Sequence, residues 1–262
     1  MKNQLIYALK YLNYRLCTKH KKGHGIHSPF MYKLITEVFN KKPDKGLKQV
    51  FVVYNKYKSS KLNLSCKDIG AKTTYRSKEK LSVGAIIKRS SVNKKYGKLI
   101  YNLTTHFKPQ KILELGTSVG ISTAFLARAA PNANLKTIEG VIEKVEVAKQ
   151  IASELKVSPE FVIGNFDQVL DQTLDKSIQL DLVFFDGNHT KKSTLTYFSK
   201  CLKKVHNDTI FVFDDIHWSE EMEAAWDQIR IHDQVKVSVD LFRLGLIFFK
   251  KELSYQHYVI KF

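Results

Sequence analysis

The stretch 111–120, KILELGTSVG, decides the fold. A short apolar run (Ile112, Leu113, Leu115) is interrupted by the acid Glu114 and followed by two glycines four apart, Gly116 and Gly120. The next ten residues, ISTAFLARAA, read as a helix. Strand, tight glycine turn and helix start thus come in succession. Such a turn lets backbone approach a ligand closely, and the helix start offers it unpaired N–H groups. The spacing ExGxxxG is neither GxGxxG nor GxxxxGK[ST]. It brings no lysine for a polyphosphate, and Glu114 would repel one. A nucleoside bearing a cationic or amino-acid end fits better.

Working outward, the pattern predicts strands over 111–115, 134–139, 160–164, 180–186, 209–214, 236–241 and 244–250. Between them it predicts helices over 120–130, 141–155, 166–175, 191–205 and 219–232. Alternation of this kind argues for right-handed crossovers and a parallel α/β sheet with helices on both faces. Only Phe242 and Arg243 separate the last two strands, so they form a hairpin and one strand near the edge runs antiparallel.

Residues 1–94 are expected to be a basic, mainly helical extension, and 95–262 the α/β domain. An amphipathic helix is expected over 3–19, burying Leu5, Ile6, Leu9, Leu12 and Leu16. The loop KHKKGHGIHSPF (19–30) follows, and its histidines 20, 24 and 27 have no nearby Cys or carboxylate to complete a metal site; it reads as a basic or substrate-facing loop. Helices are expected over 29–39, over 50–62 with Phe51, Val52 and Tyr54 buried, and over 81–107 with a break near 90–93. A turn at 41–48 and an ordered loop at 63–80 complete the region.

In an open parallel sheet, ligands bind beyond the carboxyl ends of the strands, near the topological switch point. Five consecutive strand ends here are polar: Glu114 with its glycine turn, Glu139-Gly140, Gly164-Asn165-Phe166-Asp167, Asp186-Gly187-Asn188-His189 and Asp214-Asp215-Ile216-His217. Asp167 and Ser219 suit helix N-caps; the set as a whole reads as a site. A carboxylate at the second strand end, Glu139, suits a ribose diol. Asn165 and Phe166 could bracket an adenine.

These motifs together resemble the class I S-adenosylmethionine-dependent methyltransferases, in their O-methyltransferase-like branch, over roughly residues 95–262. ILELGTSVGIST (112–123) is similar to that family's first motif, TIEG (137–140) to its ribose-binding acid, and GNFDQVL (164–170) to its adenine-side motif. DLVFFDGNH (181–189) and TIFVFDDIHW (209–218) are similar to its fourth and fifth strands. HGIHSPF resembles a segment ahead of this domain in uncharacterised bacterial methyltransferases, especially of Bacteroidetes. The resemblance implies a Rossmann-like seven-stranded sheet in the order 3-2-1-4-5-7-6, with strand 7 antiparallel. It implies S-adenosyl-L-methionine as cofactor, with Glu114 and Gly116 at its methionine end, Glu139 at the ribose, and Asn165 and Phe166 at the adenine. Thr117, Ser118, Gly120, Gly140 and Asp186 complete the implied cofactor contacts.

Two chemistries stay open at this point. By the resemblance, Asp186, Asp214 and Asp215 match the places where relatives hold a divalent cation such as Mg²⁺, although Asp214-Asp215 replaces the usual Asp-Asn. The alternative is metal-free, with His189 or His217 removing the acceptor's proton and Asp186 orienting His189. His217 and Trp218 could equally pack the loop over the site. A small hydroxylated acceptor is the expected partner, because DGNH stands where amino-group methylating enzymes carry N/D-P-P-Y/F.

Composition bounds the alternatives. Residues 1–100 hold 24 of the 43 Lys and Arg but 4 of the 25 Asp and Glu. That asymmetry admits a nucleic acid as acceptor, with stacking by Tyr7, Tyr11, Tyr14, Phe51, Tyr54 and Tyr57. Lys outnumbers Arg heavily, however, whereas Arg suits bidentate phosphate recognition. A non-catalytic protein that binds cofactor or docks a partner is the third reading. No run approaches the ~18 apolar residues of a membrane span. Three scattered cysteines give no disulfide framework, so a reducing cytoplasm is expected. The N-terminal helices could cover a domain face or a homodimer interface.

Overall fold

Eight runs rich in Val, Ile, Leu and Phe become one mixed sheet, as expected where strands are covered on both faces. In the computed structural model, which describes residues 2–18, 23–65, 81–174 and 179–262, the strands are β1 (Lys111–Leu115), β2 (Asn134–Glu139), β3 (Glu160–Ile163), β4 (Leu182–Phe185), β5 (Ile210–Phe213), β6 (Val237–Asp240), β7 (Gly245–Phe248) and β8 (Gln256–Val259). Their order is β8-β6-β7-β5-β4-β1-β2-β3. The Rossmann-like α/β fold and the antiparallel seventh strand are therefore as expected. The eighth strand, parallel to β6 with Gln256 opposite Val237, is an addition that the sequence reading lacked.

The chain divides into two compact units, residues 1–40 with 179–262, and residues 41–178. The boundary expected at residue 94 falls inside the second.

In the unit 41–178, β1, β2 and β3 pair in parallel, Lys111 opposite Asn134 and Lys136 opposite Glu160. Helix α3 (Lys45–Lys58) starts five residues before the expected start at 50, because the Asp44 side chain accepts from Leu47 N at 2.8 Å and caps it. The 41–48 turn is thereby shortened. Its buried face is Leu47, Val50, Val53, Tyr54 and Tyr57, whereas Val52 is exposed, a correction to the expected face. Helices α4 (Val83–Ser90) and α5 (Lys94–Phe107) are split where expected; Ser82 and Asn93 cap them. Helices α6 (Ile121–Ala129), α7 (Ile142–Leu155) and α8 (Phe166–Thr173) follow the strands. The loop expected at 63–80 contributes a two-residue bridge, Asn63–Leu64 against Leu81–Ser82. Its residues 66–80 lie outside the described ones.

In the other unit, β4 and β5 run parallel, and β7 runs antiparallel to both β5 and β6. Register partners Phe185 and Phe213 stack with ring centroids 4.3 Å apart. Helices α9 (Lys191–Leu202) and α10 (Glu220–Arg230) cover these strands. Helix α2 (Pro29–Lys33) runs on into a wider π-helical turn over Leu34–Phe39.

The first helix, α1 (Lys2–Cys17), corrects its expected face. Leu9, Leu12 and Leu16 are exposed, and Tyr14 is buried. The rings of Tyr7, Tyr11 and Tyr14 lie 5.0–5.1 Å from that of Phe242, and the Tyr14 hydroxyl donates to Ile260 O while accepting from Phe262 N. A tyrosine buries a large ring and still satisfies a carbonyl, which a leucine cannot do.

Candidate functional site

The unit 41–178 gathers all but one of the residues expected at the cofactor. Glu114, near the end of β1, is fully buried and accepts from the hydroxyls of Thr123 (2.5 Å) and Thr137 (2.6 Å) at Oε2. Burial pushes its acid up; the hydroxyls of Ser122, Thr123 and Thr137 hold it down. Glu114 Oε1 is buried with no hydrogen-bond partner. A buried orphan acceptor is costly and points to a donor supplied from elsewhere.

The glycine turn is tied to β2. Gly116 N and Thr117 N both donate to Ile138 O at 3.1 Å, and Thr117 Oγ1 lies 2.5 Å from Thr137 Oγ1. Glu139 then accepts from Ser118 N at 2.8 Å through Oε2 and from Val141 N at 3.0 Å through Oε1. One carboxylate thus fixes the turn after β1 and the chain reversal at Gly140. Helix α6 has Gly120 as its N-cap, so no side chain caps its first N–H groups. After β3, Asn165 accepts from Asp167 N at 3.0 Å and is itself the cap of α8. That corrects the expected cap, Asp167. Ser219 caps α10 as expected. Phe166 opens α8 beside Asn165.

The expected catalytic and metal residues lie in the other unit, with Asp186 among them. Asp186 follows β4; Asp214 and Asp215 follow β5; Arg243 sits in the β6–β7 turn. Arg243 Nε donates to Asp214 Oδ1 at 2.9 Å and Nη2 to Asp214 Oδ2 at 2.8 Å, a bidentate fork on a side chain with no exposed surface. Arg243 Nε also lies 3.4 Å from Asp215 Oδ1. His189 Nε2 is 3.5 Å from Asp186 Oδ1. Burial, then the Asp214 charge, pushes both Asp186 and Asp215 above the usual carboxylate range. Burial works against the His189 charge, yet its hydrogen bond to Asp186 and the surrounding carboxylates raise it to about 9. Tyr7 belongs here too: burial and then the Asp215 charge push its phenol up to about 12.

These residues do not fit a divalent cation. Both oxygens of Asp214 are held by a guanidinium, and the His189 ring lies against Asp186. Among the described residues, no group of three or more His, Cys, Asp or Glu side chains is arranged to hold a metal ion. The tentative Asp186–Asp214–Asp215 ligand set is corrected accordingly.

His217 has no ring nitrogen left to accept a proton. Nδ1 lies 2.9 Å from Glu223 Oε1 and Nε2 2.7 Å from Asp240 Oδ2, and the ring stacks on Phe242. Burial opposes its charge, but the two carboxylates raise its pKa. Lys10 Nζ completes the chain at 2.6 Å from Glu223 Oε2. These contacts clamp the His217 ring between Glu223 and Asp240.

Sequence reasoning missed Arg243, one of only six arginines in the chain. It was visible as one of two turn residues, but nothing local says that its side chain reaches Asp214, 29 positions back. Half of the six aromatics proposed for base stacking are core, Tyr14, Tyr54 and Tyr57 being buried, whereas Tyr11 is exposed. His24 and His27 are described, and His20 lies outside the described residues.

Among the described residues, four non-glycine residues with left-handed backbone follow strand ends: Ser118 (φ 47°), Asn188 (φ 60°), Asp215 (φ 55°) and Phe242 (φ 70°). Helix C-caps account for the other two, Lys108 and Lys156. Backbone strain of this kind concentrates at functional sites.

Residues 113–216 match the protein family described as "Methyltransferase domain". The chain is 29% identical over 130 residues to a catechol O-methyltransferase of Niastella koreensis, covering 48% of this chain and 58% of that protein. It is 27% identical over 141 residues to a catechol O-methyltransferase of Mycobacterium tuberculosis, covering 52% and 61%. The chain therefore spans less than two thirds of the length of these curated relatives. Its fold is that of the O-methyltransferase TomG of Streptomyces achromogenes, involved in tomaymycin synthesis and solved with S-adenosylmethionine. The TM-score is 0.57 at 20% identity, over 84% of this chain and 95% of that one. No helix among the described residues is long and apolar enough to cross a membrane.

Proposed function

We propose that this protein transfers a methyl group from S-adenosylmethionine to an oxygen of a small hydroxylated acceptor. The observation that carries the cofactor reading is the orphaned, buried Glu114 Oε1 beside an uncapped glycine turn. A cationic amino-acid end supplies the donor that this oxygen lacks. Glu139, pinned to Ser118 N and Val141 N, keeps a second lone pair on each oxygen for a ribose diol. When bound, S-adenosylmethionine supplies a methyl carbon on a sulfonium, whose C–S electrons stay with sulfur. The protein's own tasks are alignment and removal of one proton from the acceptor. His189, set against Asp186, is the residue we assign to that proton.

Calorimetry with S-adenosylmethionine tests the first half directly. The wild type should bind it, and Glu139→Ala should weaken the affinity at least about tenfold, the loss of about 1.4 kcal/mol expected for a hydrogen bond to a charged group. Unchanged affinity would refute the ribose role.

The pH profile tests the second half. Because His189 is raised to about 9, it carries its proton at neutral pH and must lose it before it can accept another. The sign follows: kcat should rise about tenfold per pH unit below that value and level off above it. A profile flat between pH 7 and 9 would remove His189 as the base.

A further inference from the structure

We propose, resting on the methyltransferase reading above, that Arg243 does the work of a divalent cation, and that this chain methylates without one. The argument begins with charge. Asp186, Asp214 and Asp215 bring three carboxylates into one cluster, with burial and their mutual repulsion raising both Asp186 and Asp215. Such a group needs a cation. Here the cation is covalent: Arg243 holds Asp214 by two charge-assisted bonds of 2.8 and 2.9 Å and reaches Asp215 at 3.4 Å. A metal at Asp214 would have to displace a bidentate fork from a carboxylate with no exposed surface. It would also have to approach against the positive charge of Arg243.

The backbone is built for this placement. Phe242 adopts φ 70°, Leu241 N donates to Leu244 O at 2.9 Å, and Ile216 N donates to Arg243 O at 3.2 Å. The β6–β7 turn is thereby bonded to the loop that carries Asp214 and Asp215. Asp240, at the end of β6, accepts from Phe242 N at 2.7 Å and so fixes the turn from its other side.

Arg243 is also chemically suited to the role. A guanidinium has five N–H donors, and the fork on Asp214 uses two of them. Nη1 remains to donate to an acceptor oxygen as that oxygen loses its proton to the base. The new bond forms from this oxygen to the methyl carbon, the C–S bond breaks with its electron pair going to sulfur, and the acceptor's proton ends on the base, to be released to solvent. A fixed guanidinium stabilises charge developing on the oxygen in the manner of an oxyanion site.

The test is a Mn²⁺ titration of the full chain, followed by electron paramagnetic resonance and calorimetry, with and without S-adenosylhomocysteine. The wild type should show no saturable site below about 1 mM, since like charge opposes entry. Arg243→Ala uncovers the carboxylates and should gain a Mn²⁺ site at least about tenfold tighter, whereas Arg243→Lys, which keeps the charge, should not. A stoichiometric micromolar site in the wild type overturns the proposal. So does a folded Arg243→Ala, checked by circular dichroism, that gains no affinity. Should that variant not fold, the wild-type titration decides by itself. The same wild-type sample titrated with S-adenosylmethionine separates the two levels: no cofactor binding removes the methyltransferase reading, whereas cofactor binding together with a tight Mn²⁺ site removes only this one.

Discussion

His189→Ala is expected to lower kcat by about 10²–10⁴-fold, the range for loss of a general base, while S-adenosylmethionine affinity stays within about twofold. The expectation comes from the loop after β4. Asn188 takes a left-handed backbone, φ 60°, and its amide donates to Tyr197 Oη at 2.8 Å. That pin fixes the backbone immediately before His189, whose Nε2 lies 3.5 Å from Asp186 Oδ1. The two side chains form a unit, so removing either should cost nearly what removing both does. Asp186→Asn and the double variant Asp186→Asn/His189→Ala should therefore fall to similar rates. His189→Ala should also lose the rise in kcat toward pH 9. A variant whose rate stays within a few-fold of wild type, with that rise intact, would take His189 out of the chemistry. The same experiment on His217→Ala should behave differently. That ring is bonded at both nitrogens to Glu223 and Asp240, so its loss should lower stability before it changes the pH profile.

The succession of strands and helices was legible because hydrophobic period and glycine punctuation are local signals; the order of the sheet came only with the family resemblance. KILEL, followed by a glycine turn and a helix, can be read from ten residues, and the Phe242-Arg243 turn can be read from its length. The eighth strand escaped because QHYV is short and polar enough to pass for a tail; pairing with β6, 19 positions earlier, makes it a strand. The face of α1 escaped for a related reason. Leucine spacing predicts burial only where a partner surface lies on that side, and Phe242 lies on the tyrosine side instead. At the site, residue types were legible and their partners were not. Glu114 and Glu139 stand where the motif puts them. The hydroxyls on Glu114 and the guanidinium on Asp214 come from positions 9 to 29 residues away, and only the folded chain brings them together. One such long-range partner, Arg243 on Asp214, is what argues against the metal reading.

Gly120→Ala should be the most destabilising single-methyl addition in the glycine turn, by about 2–5 kcal/mol. Two separable costs make up that figure. Gly120 sits at φ 85°, where an L side chain costs roughly 1–2 kcal/mol. A Cβ there would also lie 2.7 Å from Ala148 Cβ and 2.8 Å from Ala148 Cα on helix α7. Helix backbone cannot swing aside, and overpacking of this kind costs about 1–3 kcal/mol. Equilibrium denaturation would show a lower midpoint at unchanged slope. The second substitution Ala148→Gly separates the terms. It removes the nearer contact and relaxes the other, although alone it costs roughly 1 kcal/mol of helix propensity. The double variant should therefore show a favourable coupling of about 1 kcal/mol or more, with the backbone share of the loss remaining. A Gly120→Ala protein within about 1 kcal/mol of wild type would mean that α6 can shift on α7, and that the close approach at Gly120 is not required. If the loss is found, cofactor affinity should fall in the same variant at temperatures where it is still folded. The first N–H groups of α6 and the Ser118 N–Glu139 bond hang on the same turn, so a helix displaced to admit one methyl group carries its ligand-facing donors with it.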